Sequence, residues 1–432
     1  MNLDLAVAAA KQNYADARPN SAAWARRAAE VLPGGNTRSV LAFEPFPFRV
    51  ERAEGKYLWD VDGHQYVDFL GNYTAGLLGH SPEPVEKAVR AVLDSGWSLG
   101  SVHRDEVQLA ELLTDRFPSI EQVRFTNSGT EANLMALALA THTTGRSKVV
   151  VFQHGYHGGV LAFGETANPV NVPHHWLVLP YNDETAVVEA FRAHGADIAC
   201  VLVEPMQGSA GCIPGTPEFL SLLRNQCSSS GSLLIFDEVM TSRFSLGGAQ
   251  EVLEIAPDLT TLGKYLAGGF SFGAFGGSRK IMGTFDPKRS GGPVASLAHA
   301  GTFNNNVISM AAGVATLREM VNPAVLDRTN KLGESLRKDL NEIFLQAGVG
   351  MCATGQGSLM NIHGTAGPVR SAADLAGGDD RLKELLFFAL LDHGFYIARR
   401  GFIALSFEIT AADVANLLTS IKEWSTAHRA PV

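Results

Sequence analysis

The chain has 432 residues, 46% of them hydrophobic and 18% charged, which is the balance of an ordinary globular protein with room for two or three domains. Its 44 acidic residues outnumber the 35 basic ones and give a formal net charge of -9. That surplus argues against nucleic acid or an anionic membrane as the main partner, while leaving room for local basic pockets that hold small anions.

Residues 1–30 read as helical up to a stop at Pro33-Gly34-Gly35, without the basic region and long apolar run of a signal peptide. The glycine-led loop from Gly34 to Ser39 presents one arginine, Arg38, and reads as a solvated turn. Aromatic and β-branched residues at Tyr57–Val61 and Tyr66–Leu70 flank Asp62-Gly63, a hairpin whose turn can run to four residues. PEPVEKAVRAVLDSG (82–96) has the spacing of an amphipathic helix. From about residue 105, helical patterns alternate with apolar runs at Val123–Thr126, Val149–Phe152, Cys200–Val203, Leu233–Phe236, Leu259–Leu262 and Phe272–Phe275. Such alternation implies βαβ units and a mainly parallel sheet. Past about residue 310 two long amphipathic helices replace it, so a boundary near 310 is expected between a large α/β domain and a smaller C-terminal one. Cys200, Cys212, Cys227 and Cys352 share no C-x-x-C spacing and suit a reducing compartment. The longest apolar runs, such as LLFFALL (385–391), fall short of a membrane span. A soluble, cytoplasmic protein is the expectation.

Several residues could carry chemistry. Ser128 and Glu131 have the S-x-x-E spacing of a capping box, which would leave Gly129 and Thr130 in the first turn of a helix, where backbone N–H groups attract a phosphate. Taken alone, that motif more often marks a helix cap with no ligand. Tyr156 leaves the end of a strand and could stack on a planar ring. His154 and His157 have H-x-x-H spacing but no companion ligands, so local hydrogen bonds are favoured over a metal. Glu204 and Asp237 each end a parallel strand, where open α/β sheets bind ligands. The pair could do acid–base work, or could equally serve as helix caps or salt-bridge partners. Lys264 follows a β-branched run and precedes Gly268-Gly269. An amine facing a carboxylate suggests imine chemistry, although most lysines are merely solvated. Gly269–Gly273 matches G-x-S-x-G around Ser271, but apolar residues and more glycines follow where a hydrolase elbow needs a helix.

In order along the chain, NSGTEA (127–132), YHGG (156–159), VLVEP (201–205), IFDEVMTSR (235–243), TLGKYLAGG (261–269) and GTFNNN (301–306) resemble the class III, fold type I aminotransferases that use pyridoxal 5'-phosphate. The resemblance implies a mainly parallel seven-stranded sheet in a large domain, 71–310. A smaller α+β domain would come from both termini, 1–70 and 311–432. It makes Lys264 the residue that carries the cofactor as a Schiff base and then moves a proton, and Asp237 the partner of the pyridinium nitrogen. Tyr156 would stack on the ring, with Glu204 nearby. Gly129 and Thr130 would hold the phosphate, completed by Thr302 from the second subunit of a homodimer. No metal is implied.

Within that class, NTRSVLAFEPFPF (36–48), NYTAG (72–76) and RRGFIALS (399–406) are most similar to β-amino acid aminotransferases such as those acting on β-phenylalanine. These pass an amino group from a β-amino donor to a 2-oxo acid acceptor in a ping-pong cycle. By position Arg38 and Arg400 would bind substrate carboxylates, and Arg399 stands where a proline is found in that subgroup. The glutamate-1-semialdehyde 2,1-aminomutases share most cofactor motifs and are the alternative, an isomerase. Their first loop resembles N-S-P-V-R and their later one G-T-L-S-G-N-P, and this chain departs from both.

Overall fold

The apolar run that ends in Asp237 lies at the centre of a seven-stranded sheet in the computed structural model, which describes residues 2–288 and 296–428. Its strands are β1 (Gln122–Thr126), β2 (Lys148–Phe152), β3 (His175–Leu179), β4 (Ile198–Val203), β5 (Leu233–Asp237), β6 (Leu259–Gly263) and β7 (Gly273–Gly277). They lie in the order β1-β7-β6-β5-β4-β2-β3. All pairings are parallel except those of β7, which runs antiparallel to β6 and β1. Every strand but β7 therefore points the same way, and ligand chemistry collects at one edge.

The sheet is buried because its strands have nothing polar to present. Every residue of β4 is inaccessible to solvent, as are Leu234, Ile235 and Phe236 of β5. Such continuous apolar runs belong to strands covered on both faces. The helix after β1, α1 (Gly129–Thr144), packs Ala132, Ala136, Leu137 and Ala140 into a core with Val149, Val151, Leu202, Ile235 and Phe275. Each fully buried side chain of leucine size there is worth roughly 1.5–3 kcal/mol. β3 is the strand not anticipated above. It is an outer strand in which His175 and Val178 are exposed and the rest partly buried, although Trp176 to Leu179 is an apolar run like those of the inner strands. β7 begins at Gly273, one residue later than the apolar pattern suggests.

The chain groups into two units. One holds Glu83–Arg328 with Arg370–Ala372 and contains this sheet; the other holds Met1–Pro82, Thr329–Val369 and Ala373–Val432. In the second unit the Asp62-Gly63 hairpin forms as expected, with Tyr57 opposite Val67 and a four-residue connection from Val61 to His64. It joins a four-stranded sheet whose last member is Phe395–Tyr396. A three-stranded sheet is built from Cys352–Gln356, Leu359–His363 and Phe402–Ala404. The N-terminal helical stretch is two helices, Leu3–Asp16 and Pro19–Val31. Between them the fully buried Arg18 donates to the Tyr66 hydroxyl at 3.0 and 3.1 Å, and that hydroxyl donates to Asp60 at 2.7 Å.

Candidate active site

β4, β5 and β6 lie side by side, and at or just past the end of each stands a residue with chemistry to offer: Glu204, Asp237 and Lys264. Asp237 is the last residue of β5 and pairs in register with Thr261 of β6. Lys264 follows β6 directly, at the start of the tight turn Lys264–Ala267. It is half-buried and has φ 56, a left-handed conformation that costs a non-glycine residue on the order of 1–3 kcal/mol. Such strain persists only where the surroundings hold it. Here Gly263 pairs with Gly273 of β7, which in turn pairs with Thr126 of β1.

Asp237 is 5% exposed and held from three sides. Its Oδ2 accepts from Asn133 Nδ2 at 2.8 Å and lies 2.8 Å from His157 Nδ1; its Oδ1 accepts from the Val239 N–H at 3.0 Å. Asn133 sits on α1, and its own Oδ1 accepts from Thr261 Oγ1 at 2.7 Å. The carboxylate is thereby fixed in rotation. A carboxylate oxygen has two acceptor positions, so Oδ1 can take a further donor besides Val239. His157 corrects the expectation of a histidine occupied locally, because it is buried and bonded to a residue 80 positions away. Asn133 was missed as well. Both are ordinary residues whose role depends on a partner distant in sequence. Among the described residues, no group of three His, Cys, Asp or Glu side chains is placed to hold a metal ion.

At the end of β1, Ser128 caps α1 by accepting from the Glu131 N–H at 3.2 Å. The reciprocal half of the expected capping box does not form. Glu131 instead reaches past Ser128 to accept from the Asn127 N–H at 2.8 Å and from Asn127 Nδ2 at 3.2 Å. This fixes the bend that turns the chain from strand into helix and leaves the Gly129 and Thr130 N–H groups at the positive end of α1. Gly129 has no room for a side chain, since a Cβ there would lie 2.8 Å from Val239 Cγ2. Asn127 Nδ2 also donates to Asn304 at 3.1 Å, which ties the 301–306 loop to this corner. Thr302 is exposed on that loop.

Tyr156 follows β2 and keeps 48% of its surface exposed, although its backbone is anchored. Its N–H donates to Glu204 Oε1 at 2.9 Å, and Glu204 Oε2 accepts from the Gly208 N–H at 3.0 Å. Burial pushes the Glu204 carboxyl up to about 7; the charge of His157 opposes this, that of Asp237 adds to it, and the two N–H groups oppose it. Glu204 thus holds the loop from which the exposed Tyr156 ring projects.

Arg38 and Arg400 belong to the other unit, where one aromatic ring gathers them. The Arg38 guanidinium donates to Asn72 Oδ1 at 2.8 Å and lies 5.8 Å from the Tyr73 ring centre; that of Arg400 lies 5.3 Å from both Tyr73 and Phe402. The Tyr73 hydroxyl donates to Val40 O at 3.2 Å. Arg399 turns toward Glu384, 3.8 Å away. Ser271 is followed by the antiparallel strand β7, not by a helix, so the G-x-S-x-G segment has no nucleophile-elbow geometry.

This arrangement brings an amine, a rotationally fixed carboxylate, a helix N-terminus and a solvent-facing aromatic ring to strand ends of one sheet. Those are the contacts that a phosphorylated, positively charged aromatic aldehyde needs. Residues 41–423 match the model of the family described as Aminotransferase class-III. The chain is 50% identical over 428 residues to a beta-phenylalanine transaminase of Variovorax paradoxus, covering 99% of this chain and 98% of that protein. The crystal structure of a beta-phenylalanine aminotransferase from Variovorax paradoxus superposes with a TM-score of 0.96 at 49% identity, over 99% of this chain and 100% of the other. Similarity extends to a glutamate-1-semialdehyde 2,1-aminomutase of Sorangium cellulosum, 39% identical over 88% of this chain and 90% of that protein.

Proposed function

The chain belongs to the class-III aminotransferases, and from that premise we propose that it moves the amino group of a β-amino acid, such as an aromatic 3-amino acid, to a 2-oxo acid. Enzymes of this class use pyridoxal 5'-phosphate, which when bound supplies a ring that withdraws electrons from the substrate carbon bearing nitrogen. The observation that carries the reading is Lys264 and Asp237 ending neighbouring strands in a chain half identical, end to end, to a transaminase of that specificity.

In this reading Lys264 Nζ would hold the cofactor and would move the proton of the amine-bearing carbon. A positioned base contributes about a hundred- to ten-thousand-fold to such a step. Asp237, which His157 and Asn133 keep from rotating, would accept from the ring nitrogen. Gly129 and Thr130 would hold the phosphate through their N–H groups and Tyr156 would stack on the ring, while Glu204 holds the Tyr156 backbone. Arg38 and Arg400 bind the carboxylates of donor and acceptor. The donor leaves as a 3-oxo acid and the 2-oxo acid leaves as an amino acid, so nitrogen is conserved over the two halves.

The protein acts as a homodimer, with Thr302 of one subunit completing the phosphate site of the other. An exposed apolar face supports this. Trp97, Val102 and Phe303 are 56%, 82% and 64% exposed. Asn305 joins the two segments that carry them, donating to Ser101 O at 3.2 Å, while His103 Nε2 contacts Asn305 O at 2.8 Å. The four cysteines are buried thiols, in keeping with a reducing cytoplasm, and no helix among the described residues is long and apolar enough to cross a membrane.

The test is a Lys264→Ala protein treated with cofactor and borohydride, beside wild type given β-, α- and ω-amino donors with and without a 2-oxo acid. Trapping at wild-type yield by the variant would remove Lys264 from its role. Turnover that needs no 2-oxo acid would point to an aminomutase instead.

A further inference from the structure

The register of β5 with β6 ends at Asp237 and Thr261, and the Glu238 N–H adds one more bond, to Thr261 O at 2.9 Å. From there the two chains part, one into the turn Thr241–Arg243 and the other into the turn Lys264–Ala267. A side-chain tie joins them again. The buried Tyr265 donates its hydroxyl to Ser242 O at 3.0 Å and accepts from Arg116 Nη2 at 2.6 Å, and the same Nη2 donates to Ser242 O at 2.6 Å. Three groups from three segments are thus each bonded to the other two.

Arg116 is the last residue of the helix Arg104–Arg116, and its side chain is buried. Its Nε donates to Leu246 O, and Nη2 lies 3.4 Å from Ser245 O, so the guanidinium meets carbonyls and a hydroxyl. A buried cation is costly to place, and a rigid planar fork of donors spent on neutral oxygens fixes the segments that carry them. The segment it grips is stiff on its far side too. Glu238 is inaccessible to solvent and accepts from Thr241 Oγ1 at 3.0 Å and from the Ala249 and Gln250 N–H groups at 2.6 and 3.0 Å. The Ser242 N–H donates to Glu238 O at 3.1 Å, and Tyr265 O closes the lysine turn by accepting from the Gly268 N–H at 2.9 Å.

We propose that Arg116 and Tyr265 are positioning residues for Lys264, holding its left-handed backbone in fixed relation to the strand that ends in Asp237. A non-glycine residue keeps a positive φ only where its neighbours are held. The pairing of Gly263 with Gly273 holds one neighbour of Lys264, and the tie to Ser242 and Arg116 holds the other, Tyr265. The proposal rests on the reading of Lys264 as the residue that holds the cofactor. A support that served stability alone would lower the Tm and leave kcat of the folded enzyme where it was.

The experiment compares wild type with Tyr265→Phe, Arg116→Met and Arg116→Lys. Amide hydrogen exchange of residues 264–268, measured before pyridoxal 5'-phosphate is added, reads the turn itself. The holoenzymes then give kcat and KM with 3-amino-3-phenylpropanoate and 2-oxoglutarate, and the share of cofactor that borohydride fixes to Lys264. Tyr265→Phe and Arg116→Met should speed exchange about tenfold and lower kcat about tenfold, with both KM values within about twofold of wild type. Arg116→Lys should recover part of kcat, because an ammonium can still donate to Ser242 O and to the Tyr265 hydroxyl. If Arg116→Met does not fold, Tyr265→Phe, which loses a single hydroxyl, decides alone. Exchange and kcat within about twofold of wild type in Tyr265→Phe overturn the proposal, and so does a loss carried by KM. Failure of borohydride to fix cofactor in wild type overturns the reading of Lys264 instead, whatever the exchange shows.

Discussion

Replacing Glu204 with glutamine keeps the side chain's shape and removes its titration. In the folded protein burial holds this carboxyl at about 7, against 4.5 for an ordinary one. Between those values the native state binds a proton that the unfolded chain has released, so stability is present at low pH and is lost as pH rises through 7. The difference of about 2.5 pH units corresponds to about 3.4 kcal/mol, of which about 2.5 kcal/mol falls between pH 5 and pH 8. The substituted amide would accept from only one of the Tyr156 and Gly208 N–H groups. That costs about 1–3 kcal/mol at every pH and drops out of the comparison. Unfolding entropy of about 2.1 cal/mol/K per residue over 432 residues gives roughly 0.9 kcal/mol/K. The Glu204→Gln Tm should therefore gain about 3 °C on wild type between pH 5 and pH 8, read by scanning calorimetry at matched ionic strength. A difference that stays flat across that range would mean that Glu204 is ionised throughout and that burial does not govern it.

Other outcomes follow from the same geometry. Gly129→Ala forces a methyl group against Val239 and should displace the start of α1, weakening pyridoxal phosphate retention at least about tenfold by equilibrium dialysis while far-ultraviolet circular dichroism stays unchanged. His157→Phe takes one charge-assisted partner from Asp237 and should lower stability by about 1.5–3 kcal/mol, measured by thermal unfolding. Arg38→Ala and Arg400→Ala should each raise donor or acceptor KM by roughly ten- to a hundredfold, the loss of one guanidinium–carboxylate contact of about 1.5–3 kcal/mol; unchanged KM for both substrates would refute the carboxylate assignment. Phe303→Glu places a charge on the exposed apolar face and should shift the proposed dimer to monomer in light scattering.

The sheet could be read from the chain because full burial leaves a local mark. β4 and β5 are unbroken apolar runs that stop at Glu204 and Asp237, and no distant information is needed to see them. β3 carries an apolar run too, Trp176 to Leu179, yet is partly exposed at the sheet's outer edge, so such a run does not by itself report full burial. The environment of Asp237 was illegible for a different reason. Asn133 and His157 lie 104 and 80 positions from it, and neither spacing nor composition couples them to that carboxylate. Glu131 shows the limit of a correct local motif: S-x-x-E does cap α1, but whether the glutamate bonds Ser128 or Asn127 depends on how the strand enters the turn. Arg399 turns toward Glu384, 15 positions before it, and no motif spacing marks that pairing.

The reversal of β7 has a mechanical consequence for Lys264. The chain leaves the sheet at Gly263 and re-enters it at Gly273 directly alongside, so the lysine stands at the base of a closed loop with both feet nailed to the same ladder. Main-chain travel is denied to it, and its amine can move only by turning the four torsions of its own side chain. The arm is long and the shoulder fixed, so the amine stays within one side-chain length of a single point. A group that must let go of one partner, reach a second and return gains from this, because the return address never moves.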